Sequence, residues 1–328
     1  MSDLYHIPND DGKKYRLDKF VEYQHEVPSI HYRFLGEYTK RHNLTADEAV
    51  DMCWLMSLTY NEITCIYLFD RLKQRSYSEI WEEDKPNLLF GSARKHVKLK
   101  TRFVDLMGAW LERTRNGKFE YVKNLLAGDA EESYVRIQRE LRTINEVGRF
   151  ASDLFLEMLV YLKGYLNIDI SEPAEIDWKN CANLASGIFN IFYEDERANR
   201  YDRDRRLSKA EEAYLSAKLK EIQTAIHSRY PAQNCEISMF IGKICSFRNL
   251  FKAARYGGYH HDRELEWLRH YEAAFPNKKE LWEEAYALRQ EIFPSRFLGE
   301  LNGWDGIRKE RKKLWIATGK TGVEVGND

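Results

Sequence analysis

The chain has 328 residues, of which 43% are hydrophobic and 31% charged, and its formal net charge is −1. This mixture supports a substantial globular core and excludes an intrinsically disordered chain. Near-neutrality excludes a global basic field of the kind that drives non-specific nucleic-acid binding. No apolar run of about 18 residues occurs, so no membrane span is expected.

The opening stretch, MSDLYHIPNDDGKKY, is polar and acidic and lacks the apolar segment of a secretory leader. The expected location is therefore cytoplasmic. Helix-start signals follow in series. Thr45 with Glu48, Thr59 with Glu62, Ser76 with Glu79, Ser208 with Glu211, and Asn277 with Glu280 all have capping-box spacing. The first residue of each pair can accept from an orphan first-turn amide, and the Glu can answer in return. The seven prolines fall in or beside the intervening connections. Only HVKLKTRF alternates like a strand, and it has no convincing partner.

The expected fold is therefore all-α, a single large multi-helix domain over residues 45–318. A helical arm over 1–44 precedes it, and a glycine-rich, loosely held tail over 319–328 follows. The main candidate for an internal boundary is NIDISEPAEID (167–177), with a weaker one at 229–234. The segment 150–166, FASDLFLEMLVYLKGYL, is apolar nearly all round and is expected to be a central helix.

Five cysteines, at 53, 65, 181, 235 and 245, match neither zinc nor iron–sulfur spacing and suggest structural thiols in a reducing compartment. His260-His261-Asp262 lack helical metal spacing, so no zinc site is expected there. Walker A, Rossmann and Gly-x-Ser-x-Gly signatures are absent.

Three features could carry chemistry. RNLFKAARYGGYHHDREL (248–265) places Arg248, Lys252 and Arg255 beside an apolar stripe, then breaks at Gly257-Gly258. Read plainly, these cations are snorkelling side chains at the edge of a core. Read functionally, Asp262 caps a new helix whose amides, with the cations and with Tyr256 and Tyr259, suit a phosphorylated ligand. The second feature is the basic cluster Arg94, Lys95, Lys98, Lys100 and Arg102, either a solvated face or a track for a nucleic-acid backbone. In the third, Asp153 and Glu157 share a helical face, with Arg149 four residues before Asp153. They form either a structural ion pair or a site with a general base or metal ligand. The mixed-sign run 193–206, YEDERANRYDRDRR, is expected to be an exposed loop or an ion-pair network.

Three stretches together resemble a known family. They are EISMFIGKICSFRNLFKAARYGGYHHDRELE, FPSRFLGELNGWDGIRKE, and GRFASDLFLEML preceded at a distance by FGSARK. The family is that of the phage α-glutamyl/putrescinyl-thymine pyrophosphorylases, the amino acid:DNA transferases, and the resemblance spans roughly residues 45–318. It implies a helical fold with a helix-hairpin-helix glycosylase-like core, although the glycosylase Gly-Pro-Asp signature and iron–sulfur cysteines are absent.

The implied activity displaces pyrophosphate from 5-pyrophosphomethyl-uracil in double-stranded DNA with an amine, an amino acid or putrescine, in a phage-infected host. On that resemblance Arg94, Arg248, Arg255 and Arg263 would bind pyrophosphate. Asp153 or Glu157, with Asp262 behind them, would supply the base. Tyr256, Tyr259 and Trp304 would stack on the extruded uracil, and Lys95, Lys98 and Lys100 would follow the DNA backbone. No resident cofactor is implied; Mg2+ assistance is left open, with Glu236 and Glu300 as candidate ligands beside structural roles. The competing readings are a non-catalytic helical DNA-binding or glycosylase-like module and a structural helical interaction protein.

Overall fold

We analysed a computed structural model, which describes residues 15–26, 30–91, 99–173, 178, 182–204, 206–231, 243–244, 247–248, 259–292 and 309. Among these residues the chain is helical, with no strand. In chain order the helices are α1 (Tyr15–Glu26), α2 (Ile30–Arg41), α3 (Ala46–Thr59), α4 (Glu62–Leu72), α5 (Tyr77–Asp84), α6 (Phe103–Arg113), α7 (Lys118–Lys123), α8 (Ala130–Leu141), α9 (Arg149–Tyr161) and α10 (Lys163–Leu166). They continue with α11 (Ala182–Ile191), α12 (Asp195–Asp204), α13 (Lys209–Arg229), α14 (Tyr259–Ala274), a 3-10 turn (Pro276–Lys278) and α15 (Lys279–Ile292). No helix among the described residues is long and apolar enough to cross a membrane.

Two compact units are present, and neither is contiguous in sequence. One comprises 1–30, 174–266 and 293–328; the other comprises 31–173 and 267–292. We call them the outer-segment unit and the middle-segment unit.

Capping explains where several helices start. Thr45, Ser76 and Ser208 each form a complete capping box with Glu48, Glu79 and Glu211. In each box the hydroxyl accepts an orphan amide and the carboxylate accepts the N-cap amide. Two expected boxes do not form. The Thr59 hydroxyl turns back to the Leu55 carbonyl at 2.8 Å, and Asn61 caps α4 by accepting from the Thr64 amide at 3.0 Å. Tyr60 ends α3 in the left-handed region (φ 46°), so Thr59 is still helical and cannot be an N-cap. Asn277 lies inside the 3-10 turn, one residue too early to cap α15.

In the middle-segment unit, α3 is buried on nearly every side, from Ala49 to Thr59, and packs against α4, α7 and α9. Trp54 of α3 stacks on Trp110 of α6 with centroids 4.7 Å apart, and Trp110 meets Phe155 of α9 edge-on. The expected central helix 150–166 is thus observed as α9, buried from Ala151 to Val160 except at Asp153 and Glu157, but it stops at Tyr161. Leu162 leaves helical geometry (φ −90°, ψ 1°) and Asn167 closes the short α10 in the left-handed region. A second aromatic group joins Tyr67, Tyr271, Phe275 and Trp282, and Thr64 and the Leu89 amide both bond the Tyr271 hydroxyl.

In the outer-segment unit, α13 aligns Leu215, Leu219, Ile222 and Ile226 on one face at helical spacing. That face packs with Phe20 and Val21 of α1 and Leu184, Ile188 and Ile191 of α11, joined by Ile244 and Phe247. The run 193–206 is mostly helix α12 rather than a loop, and its charges do form a network. Arg197 and Arg200 bridge to Glu211, Arg197 to Glu194, and Arg16 to Asp195 at 2.8 Å.

Gly187 marks the tightest contact of this core: a Cβ there would lie 2.5 Å from Ile244 Cγ2 and 2.9 Å from its carbonyl oxygen. Gly187→Ala is accordingly expected to destabilise this unit by about 1–3 kcal/mol, as core overpacking does. Chemical denaturation monitored by tryptophan fluorescence checks this, and an unchanged midpoint would contradict the close approach.

Candidate functional site: a carboxyl crevice on α9

Helix α9 places Phe150, Asp153 and Glu157 on one face, at i, i+3 and i+7. Asp153 is well paired. Gln138 donates to it at 2.6 Å, Arg149 lies at 3.3 Å and Arg142 at 3.7 Å. The Arg149 pairing expected from the sequence is therefore present. Burial nonetheless raises the Asp153 carboxyl above its ordinary value, with the two arginines and Gln138 opposing the rise.

Glu157 differs. Its side chain keeps some access to solvent, yet its carboxyl is set deeply enough that desolvation raises it well above the usual carboxylate range. Glu172 and Asp153 push it further, and only the hydroxyl of Tyr32, which donates to it, holds it down. No cation pairs with Glu157 among the described residues. A carboxyl in this setting holds its proton toward neutral pH, where a general base or acid is most useful.

Tyr32 and Tyr134 close the crevice. Both rings are buried, and both hydroxyls are held protonated by desolvation and by the carboxyls around them. Beside them, His31 Nδ1 bonds the fully buried Glu62, and the His31 ring lies 4.9 Å from that of Tyr60. Tyr60 in turn meets Phe150 edge-on at 5.6 Å.

The raised Glu157 has a consequence for stability. The folded protein holds this proton more tightly than the unfolded chain does, so the stability linked to it is fully present below about pH 4.5. It is lost as pH rises through the folded value. Stability measured at pH 5–8 is therefore expected to fall relative to that of Glu157→Gln, which carries no such proton. A gap between the two proteins that stays constant with pH would contradict the assignment.

The other residues expected from the sequence divide as follows. Lys100, also in the middle-segment unit, gives its ammonium to the Leu88 carbonyl at 2.6 Å and lies 5.8 Å from the Phe90 ring centre. A DNA phosphate would have to compete with that bond. Arg248, Tyr259, Asp262 and Arg263 belong to the outer-segment unit. Arg248 is half-buried and donates to Ser186 at 2.7 Å. Asp262 does not cap its helix: α14 starts at Tyr259, so Asp262 is its fourth residue, and both Asp262 and Arg263 are buried. Arg94, Lys95, Lys98, Arg255, Tyr256 and Trp304 lie outside the described residues, as do Glu236 and Glu300.

Sequence reasoning missed Tyr32, Tyr134, the His31–Glu62 pair and Lys243. Lys243 is buried in the outer-segment unit, and desolvation lowers its ammonium to about 7 against the opposing charge of Glu264. Its apolar flanks in SMFIGKICSF were the available signal. A surface cavity of about 470 Å³ lined by Glu196, Arg197, Asn199 and Arg200 is the other concave feature. Arg197 there packs over the Phe189 and Tyr214 rings and, like Arg200, is held by the glutamates of its network.

No protein-family model, curated protein or solved structure matches the chain.

Proposed function

We propose that this protein is an amine:DNA transferase that displaces pyrophosphate from 5-pyrophosphomethyl-uracil in double-stranded DNA. The observation that supports this reading is Glu157, an uncompensated carboxyl with a raised proton affinity in a crevice open to solvent. The amine nitrogen attacks the 5-methylene carbon and the carbon–oxygen bond to pyrophosphate breaks, the leaving group taking the bonding pair. The nitrogen then yields its proton to Glu157. Asp153, fixed by Gln138, Arg149 and Arg142, keeps a second negative charge near the base and so favours proton capture.

Cations are required for the leaving pyrophosphate, and Arg248 and Arg263, with Arg94 and Arg255, are the candidates the resemblance supplies. Tyr259, with Tyr256 and Trp304, is the candidate for stacking on the extruded base. The setting would be the cytoplasm of a phage-infected bacterium.

The test incubates the protein with DNA carrying 5-pyrophosphomethyl-uracil and a panel of amines, with and without Mg2+. Pyrophosphate release with a matching gain in nucleoside mass is expected. DNA binding that ignores the 5-substituent, with no release under any condition, would favour a non-catalytic DNA-binding module instead.

A further inference from the structure

We infer that the α9 crevice is a binding site for a primary ammonium group, with the Tyr134 hydroxyl and the Glu157 carboxylate as its acceptors. The inference deepens the proposed reaction by locating its amine, and it rests on that reading for the amine's fate but not for its binding.

Tyr134 carries the argument. Its side chain is only 4% exposed, yet its hydroxyl makes no hydrogen bond to any described residue. Buried hydroxyls are rarely left so, because an unmade bond costs about 1–3 kcal/mol. The hydroxyl stands in the field of three carboxyls, Glu172, Asp153 and Glu157, with Arg149 opposing them. It therefore points toward negative charge with a lone pair still to offer.

The chemistry of the lining selects the ligand. Three carboxyls repel an anion. The acidic oxygens do not converge closely enough to ligate one metal ion. An ammonium, with three donors directed tetrahedrally, can instead reach separated acceptors. Asp153 is already paired with two arginines, whereas Glu157 has the Tyr32 hydroxyl as its hydrogen-bond partner and no cation among the described residues. Glu157 is thus the charge that an incoming ammonium would match. Phe150 shares the face of α9 with these acids, and Tyr60 packs against it, giving an aromatic wall for the carbon chain of an amine.

Binding must also move a proton. A neutral Glu157 gains nothing from an ammonium, so it ionises when the cation arrives and one proton passes to the buffer.

The experiment is titration calorimetry on the full chain at pH 7.5, without DNA, in two buffers of different ionisation enthalpy. The probes are n-butylamine, 1,4-diaminobutane and glycine, with n-butanol and Mg2+ as controls. Saturable binding of at least one amine with proton release is expected. Glu157→Gln should weaken it at least about tenfold and abolish the proton release, and Tyr134→Phe should weaken it about fivefold, the worth of one hydrogen bond. Preference for the diamine would place its second ammonium toward Glu172, and preference for glycine would place its carboxylate toward Arg149; either supports the site. Absence of saturable amine binding, binding indifferent to Glu157→Gln in a folded variant, or Mg2+ binding more tightly than every amine would overturn it. Amine binding without turnover on modified DNA would leave this site standing and remove the transferase. Turnover whose amine KM ignores both substitutions would do the reverse.

Discussion

Glu157→Gln is expected to slow pyrophosphate displacement by about 10²–10⁴-fold, the usual contribution of a positioned general base. Gln keeps the shape and still accepts from the Tyr32 hydroxyl, which donates to Glu157 in the native protein. It removes a carboxyl that burial and the charges of Glu172 and Asp153 hold at a raised proton affinity. Folding stability at pH 7.5 should therefore stay level or rise. Loss of activity with gain in stability separates a functional carboxyl from a structural one, because a structural ion pair would lose both. Single-turnover kinetics alongside thermal melts read the two effects. A variant that unfolds, or one that retains full turnover, would refute the role given to Glu157.

The second large effect concerns what holds α9 in place. Trp110→Ala is expected to cost about 3–5 kcal/mol, the range for truncating a buried aromatic, and to lower the melting temperature by roughly 10 °C. Trp110 is fully buried, stacks on Trp54, touches Phe155 of α9 and donates its indole N–H to Asp51 at 3.1 Å. Asp51 is itself bridged to Lys118, so the indole bond belongs to a partly buried polar cluster. Trp54 is the internal control. Its indole nitrogen is equally buried but has no partner among the described residues. Trp54→Phe removes an unsatisfied donor, whereas Trp110→Phe orphans Asp51, so the second substitution should cost more. Equal costs in urea denaturation would show that the Asp51 bond contributes nothing.

Much of the helical framework was legible because its signals are local. Thr45, Ser76 and Ser208 cap their helices from within four residues, and the apolar run at 150–161 buries itself whatever surrounds it. The two capping boxes that failed did so for tertiary reasons or for reasons of register. Glu62 is drawn to His31, 31 residues away, and Asn277 is taken up by a 3-10 turn. The candidate site divides along the same line. Arg149, Asp153 and Glu157 are one helical turn apart, so their shared face could be read directly. Tyr32 lies 125 residues from Glu157, and nothing in its neighbourhood marks it as the donor to that carboxyl. Tyr134 sits on a separate helix, α8, and its missing partner is visible only once the fold brings the acids to it. The division of the chain into two discontinuous units is likewise a property of long-range packing, not of composition at any boundary.

The most direct test of the account is pyrophosphate release from DNA bearing 5-pyrophosphomethyl-uracil, measured with a panel of primary amines at pH 7.5. The account predicts amine-dependent release, stoichiometric with an added amine mass on the nucleoside and suppressed in Glu157→Gln. A folded native protein that releases no pyrophosphate with any amine, in the presence or absence of Mg2+, would contradict it.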